Sequence, residues 1–430
     1  MSRPLPRLRA FAAAGAAVAL AATAACGDDG SGSDSEISWW HIQIEDPMMS
    51  TWEVFADEWL EESDADVTFD IQSIENEAFK SQMSTAAQSG EVPDLFQTWG
   101  GGVLRQQVEA DLVRDITDEL DDCIDLINPS TLAPYTVDDR LYGVPFDSGV
   151  VGFWYNMDLF AEAGIDAPPE TWSDFLDAVE ALQAADITPI ALAGADQWPA
   201  HFYWTYLAMR IGGLENLQQA GEAGELSGDA FVQAGELLSE LAEMEPFQEG
   251  FESATFDGPD GQSATVGEGA AAMELMGQWA PQSQRDNSGT DGPGEALGFF
   301  PFPVVEGGAG STTEFLGGGN GFAVGADAPD EIFDFICHMY QEENQTRMVE
   351  DGNFNTVAAD PDAVVAEPDM HIALVLEAMS GATDTQLYLD QAFPPAVGGS
   401  INEATEGLIL GQLTPEEFVE MVNEVWSAEA

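Results

Sequence analysis

The chain has 430 residues, with 79 Asp and Glu against 10 Lys and Arg, a formal net charge of −69. Such a polyanion cannot neutralise phosphates, which excludes nucleic acid as a partner and argues against a basic membrane-binding face. Yet 45% of the residues are hydrophobic, with 11 Trp and 24 Phe, the content of folded cores in a chain long enough for two domains.

Arg3, Arg7 and Arg9 open the chain, and an apolar run of about a dozen residues follows, too short to span a bilayer. Residues 1–25 therefore read as an export leader. Ala24 and Ala25 precede Cys26, an arrangement that resembles a bacterial lipoprotein lipobox, with Thr23 where that pattern usually carries Leu. The match makes Cys26 the lipidated first residue of the mature chain. Residues 26–36 (CGDDGSGSDSE) then form a flexible tether. Beyond the leader only seven basic residues remain, and Lys80 is the one lysine in the sequence. The acids are spread along the chain rather than clustered, as expected of a surface-wide adaptation to high salt.

A short strand is expected over 37–41. Trp52, Phe55, Ala56, Trp59 and Leu60 follow at helical spacing, and Val67, Phe69 and Ile71 alternate as in a half-buried strand. A polar helix over 76–88, a strand over 94–99 and a helix over 103–110 complete a βαβαβ unit. That order implies a parallel sheet with right-handed crossovers and ligands beyond the carboxyl ends of its strands. Trp40, His41, Gln43, Glu75 and Trp99 lie at those ends. A second α/β unit begins with a strand over 150–155. Thr171 and Asp174 then cap a helix whose buried face is Trp172, Phe175, Leu176, Val179 and Leu182. A strand over 187–193, helices to about residue 241 and a Gly-rich irregular zone follow. Thr414, Pro415 and Glu417 mark a last helix start. Cys123 and Cys337 either pair or remain buried thiols, and four scattered His make no metal site. No cofactor is expected.

Several segments, in order, are similar to the extracellular solute-binding proteins of bacterial ABC importers, the large carbohydrate-binding group. They are PDLF at 93–96, LYGVP at 141–145, WYNMDLF at 154–160, Gly164-Ile165 with PPETW at 168–172, GAAAM at 269–273, GQW at 277–279, 335–345 and 413–418. The resemblance implies an α/β, two-lobed periplasmic-binding-protein-like fold of type II, with a ligand cleft between lobes joined by crossing hinge strands. The lobes would be 37–146 plus 301–326 and 147–300 plus 327–430, with crossings near 145–149, 299–303 and 325–329. LYLDQAFPP at 387–395 is similar to the subgroup for xylobiose, raffinose-type or α-glucosidic sugars. The implied protein is a monomeric lipoprotein on the outer face of the cell membrane, handing an oligosaccharide to permease subunits.

A sugar offers hydroxyl edges and apolar CH faces, so its site needs flat aromatics beside acids and amides. Trp198 opens an aromatic run (WPAHFYWTY) whose Phe202, Tyr203 and Tyr206 are assigned to a helix core. Trp279 follows a Gly-opened turn, and Asp147 follows Pro145 at the expected crossing. Asn320 ends a triple-Gly stretch that suggests close backbone approach or flexibility. Tyr388 and Asp390 complete the candidate set. No hydrolase elbow, HExxH motif or phosphate loop is present. The reading is therefore a binding protein without enzymatic activity. The alternative is a secreted glycoside hydrolase using an Asp/Glu pair, which 79 acids always allow to be nominated.

Overall fold

The computed structural model describes residues 35–352, 354–365 and 369–429. The leader, Cys26 and nearly all of the tether lie outside the described residues. A five-stranded sheet is ordered Val67–Ser73, Ser35–His41, Leu95–Thr98, Gly321–Val324, Gly143–Pro145. Its first three strands are parallel, as the βαβαβ order required, and Gly321–Val324 runs antiparallel between the other two. Period-two alternation sends Ile37, Trp39 and His41 of one strand to the same buried face. There Trp39 meets Trp52, Phe322 and Phe335 with ring centroids 5.3–5.5 Å apart, mostly edge to face. The helix Met48–Glu62 turns Trp52, Phe55, Ala56 and Trp59 inward, the stripe expected from their spacing.

A second, four-stranded sheet is ordered Leu297–Phe300, Gly152–Asn156, Ala271–Met276, Thr188–Ile190. The helix Trp172–Ala184 beside it starts with a reciprocal Thr171–Asp174 capping box. The helix Pro395–Ile409 packs on Pro415–Glu429, which begins with the expected Thr414–Glu417 exchange. A third sheet joins Asp384–Leu387, Glu314–Gly318 and Gly149–Val150. It lies where the chain passes from one sheet system to the other.

Burial separates two hydrophobic cores. One draws on residues 37–146 and 322–357, the other on 150–316 and 375–426. The first change of core falls between Phe146 and Val150, and the cores divide the later chain differently from the expected boundaries. Phe302 is fully buried in the second core, stacked on Tyr206 (4.8 Å, 7°) and Trp172 (5.6 Å, 16°), so 299–303 is not a crossing. The return occurs between Glu314–Gly318 and Gly321–Val324. The helix Glu331–Met339 places Ile332, Phe335 and Ile336 in the first core, so the chain leaves that core for the last time only after Val357. Burial of these aromatic rings, and not the positions implied by the resemblance at 299–303 and 325–329, sets where the chain changes core. Cys123 and Cys337 are joined by a disulfide within the first core region.

Arg210 is fully buried and ties the second core together. Its guanidinium donates to the Phe302 carbonyl at 3.1 and 3.2 Å and to the Glu314 carbonyl at 2.9 Å. Arg210→Met leaves both carbonyls without a donor and should cost about 2 kcal/mol. Scanning calorimetry should show the transition about 2–3 °C lower; an unchanged transition would show that these bonds contribute nothing net.

Candidate binding cleft

Between the two cores runs a cleft of about 240 Å³. Gln43, Glu75, Trp99, Trp198, Trp279, Asn320, Tyr388 and Asp390, all expected from sequence, line it together. They come from distant parts of the chain: strand ends of the first sheet, the helix Trp198–Gly212, the turn after Ala271–Met276, the crossing segment and the helix Leu389–Ala392.

Local backbone chemistry aims the aromatic rings. Gln197 adopts φ +61°, a left-handed turn that L residues adopt at a cost, and the chain enters the Trp198 helix abruptly with Pro199 in its first turn. Trp198, half-buried at this helix mouth, sits 6.4 Å from Trp279 and edge to face with Phe202 and Phe256. Trp279 folds back over Gly277, where an added Cβ would lie 2.2 Å from the indole. Trp99 faces them from the first-core side, braced edge to face by Phe79. Phe202, Tyr203 and Tyr206 are buried, as a helix core requires, although Phe202 also reaches the cleft wall.

Three candidates lie elsewhere. Trp40 alternates away from Trp39 and rests half-buried at the edge of the first core. His41 is fully buried beside Trp39 and Trp52, with no hydrogen-bond partner for either ring nitrogen among the described residues. Burial pushes its pKa down to about 4, so it is a neutral core ring. Asp147 sits beneath the cleft rather than in its wall. Its carboxylate accepts from the Asn320 backbone N–H, from Asn320 Nδ2 at 3.0 Å and from Gln278 Nε2 at 3.1 Å. Asn320 in turn accepts from Gln97 Nε2 at 2.6 Å. Asp147 thus orients the amide that lines the cleft. Desolvation pushes its pKa up to about 6 despite these donors.

Sequence reading missed Lys80, Asp196, Phe256, Asp257, Asp286 and Asn287, which also line the cleft. Lys80 carried a usable signal as the only lysine. Asp257 carried none, because it lies in the irregular zone, where no periodicity marks direction. Its Oδ1 accepts from Asn287 Nδ2 at 3.2 Å. Burial, with the negative charges of Glu75, Asp196 and Glu45 nearby, pushes its pKa up to about 6. Asp196 is raised by burial too, although it accepts the Phe256 N–H at 2.6 Å. Among the described residues, no three His, Cys, Asp or Glu side chains are placed to hold a metal ion.

A carboxyl whose folded pKa is raised keeps its proton where the unfolded chain has lost it. Asp257 therefore costs stability progressively as pH rises from about 4 through about 6. Asp257→Asn removes that cost while keeping an oxygen for Asn287. The variant should gain on the wild type, by an amount of order 2 kcal/mol, between pH 4.5 and 7.5. Thermal melts of both proteins across that range check it, and a difference independent of pH would contradict it.

Residues 44–346 match the family model of the bacterial extracellular solute-binding proteins. The multiple sugar-binding protein of Streptococcus mutans is 37% identical over 82 residues, 19% of each chain. The lactose-binding protein of Rhizobium radiobacter is 26% identical over 295 residues, 65% of this chain and 64% of its own. In both cases the match spans less than two thirds of the relative's length. A solved chitin oligosaccharide binding protein superposes with a TM-score of 0.84 at 24% identity, covering 92% of this chain and 99% of its own. That likeness establishes the type II periplasmic-binding-protein fold, two α/β lobes with a cleft between them and crossing strands. With the family model matched across both sheet systems and the cleft, the chain belongs to the bacterial extracellular solute-binding proteins.

Proposed function

We propose that this protein binds a di- to oligosaccharide in the cleft and delivers it to the membrane subunits of an ABC importer. The observation that carries the reading is the pairing of Trp99 on one wall with Trp198 and Trp279 on the other, among acids and amides. Flat indoles cover the CH faces of pyranose rings, and Asp257, Asp196, Asn287 and Asn320 offer partners to the hydroxyl edges. The sugar-binding relatives support a carbohydrate as the solute. Residues 35–146 with 321–358 act as one lobe and 147–318 with 370–429 as the other, closing on the sugar about the crossing segments. In the cell the protein is a lipid-anchored monomer, held through Cys26 on the outer face of the membrane. It performs no chemistry on its ligand.

A thermal-shift screen against lactose, raffinose, xylobiose and chitobiose tests this reading. One of them should raise the melting temperature and change tryptophan fluorescence without being cleaved. No shift with any sugar, or release of product from a glycoside, would contradict it. For the sugar that binds, Trp198→Ala and Trp279→Ala should each weaken affinity tenfold or more, about 1.4 kcal/mol, by calorimetric titration. Unchanged affinity in both variants would remove the tryptophans from the site.

A further inference from the structure

The only lysine in the sequence stands at the cleft. The helix Asn76–Ser89 that carries it is anchored by Phe79, Met83 and Ala86, which are buried. Lys80 projects from another side of that helix. Its ammonium lies 3.0 Å from Glu77 on its own helix and 5.8 Å from the ring centre of Trp99, also on the first-core side. It also lies 3.8 Å from Asp390 and 5.9 Å from the ring centre of Trp198, both on the second-core side. One ammonium therefore reaches both walls. The Lys80 side chain is 28% exposed and Asp390 11%, so the link is shielded from solvent more than a surface pair would be.

Every other charged side chain lining the cleft, among the described residues, is a carboxylate. Glu45, Glu75 and Asp351 stand on the first-core wall, and Asp196, Asp257 and Asp390 on the second. Bringing the walls together concentrates like charge between low-dielectric surfaces, which opposes closure. Among the described residues Lys80 is the one counter-charge lining the cleft, and its positive charge acts on Asp196 of the far wall and on His201 buried behind it.

We propose that Lys80 is a cross-cleft clasp, attracting Asp390 and Trp198 from the opposite wall and thereby setting how readily the lobes close and how tightly a sugar is held. This rests on the hinge-closing, sugar-binding reading above. A side chain that favours the closed arrangement raises the fraction of molecules competent to retain ligand, and so the apparent affinity. The two attractions are a cation–π contact and a partly shielded ion pair, and salt weakens the ion pair. An ordinary solvated lysine would do none of this.

The test compares wild type with Lys80→Met, which keeps the apolar stem, and Lys80→Arg, which keeps the charge. Small-angle scattering of the ligand-free proteins reads closure directly. Lys80→Met should have the larger radius of gyration at 0.05 M NaCl, with the difference shrinking at 1 M. Lys80→Arg should follow the wild type. Titration with whichever of lactose, raffinose, xylobiose and chitobiose gave the largest thermal shift should show Lys80→Met binding about fivefold more weakly at low salt. Equal scattering in wild type and Lys80→Met, or equal or tighter sugar binding by Lys80→Met, overturns the proposal. If none of the four sugars binds the wild type, the scattering comparison still decides the clasp, so failure of the sugar reading is seen separately.

Discussion

The constraint on which the rest depends is backbone lying directly against backbone where two crossing segments meet. An added Cβ on Gly319 would stand 2.0 Å from the Asp147 carbonyl oxygen, and one on Gly317 would stand 2.4 Å from that of Gly149. No side chain fits at either position, so Gly317 and Gly319 are steric requirements of the crossing. With the segments this close, Asp147 can gather Asn320 and Gln278 around one carboxylate. Tyr135 adds a hydroxyl bond to the Gly319 carbonyl at 3.1 Å. The same small cluster fixes where the sheets pass into one another, and it presents Asn320 to the cleft.

Charge works differently inside and outside. The many carboxylates spread over the surface suit a solvent that screens them. Those that burial reaches behave otherwise. Glu274 is fully buried between Gln262 and Gln284, whose amides donate to it at 2.8 and 2.7 Å, and desolvation pushes its pKa up to about 7. Asp147 and Asp257 are pushed up to about 6 for the same leading reason. Acidity is thus cheap on the outside and costly in the cores and cleft, where amides or an ammonium must offset it.

Much of the first sheet was legible in the sequence because helical stripes and alternation agree there, and two helix starts elsewhere were legible from their caps. The Trp52 helix, the parallel strands and the Thr171 capping box follow from neighbours within a few residues. Later crossings did not, because Phe302 and Phe335 are placed by rings far away in the sequence, from Tyr206 and Trp172 to Trp39 and Trp59. At the cleft, strand ends and Gly-opened turns pointed to most of the aromatic wall. His41 shows a signal that was present but unused: it is two residues from Trp39 and four from Ile37, so alternation alone sends it to the same buried face. Asp257 shows the opposite case, since only its long-range bond to Asn287 and the closeness of other carboxylates distinguish it.

A crystal structure of the protein with the sugar that binds most tightly tests the central claim most directly, that the solute is held between the two cores. A pyranose ring should stack about 4 Å from the Trp198 or Trp279 indole, with its hydroxyls on cleft acids and amides and the two cores moved together about residues 145–149 and 318–321. A sugar bound on an outer surface, with the cleft empty and the cores unmoved, would contradict it.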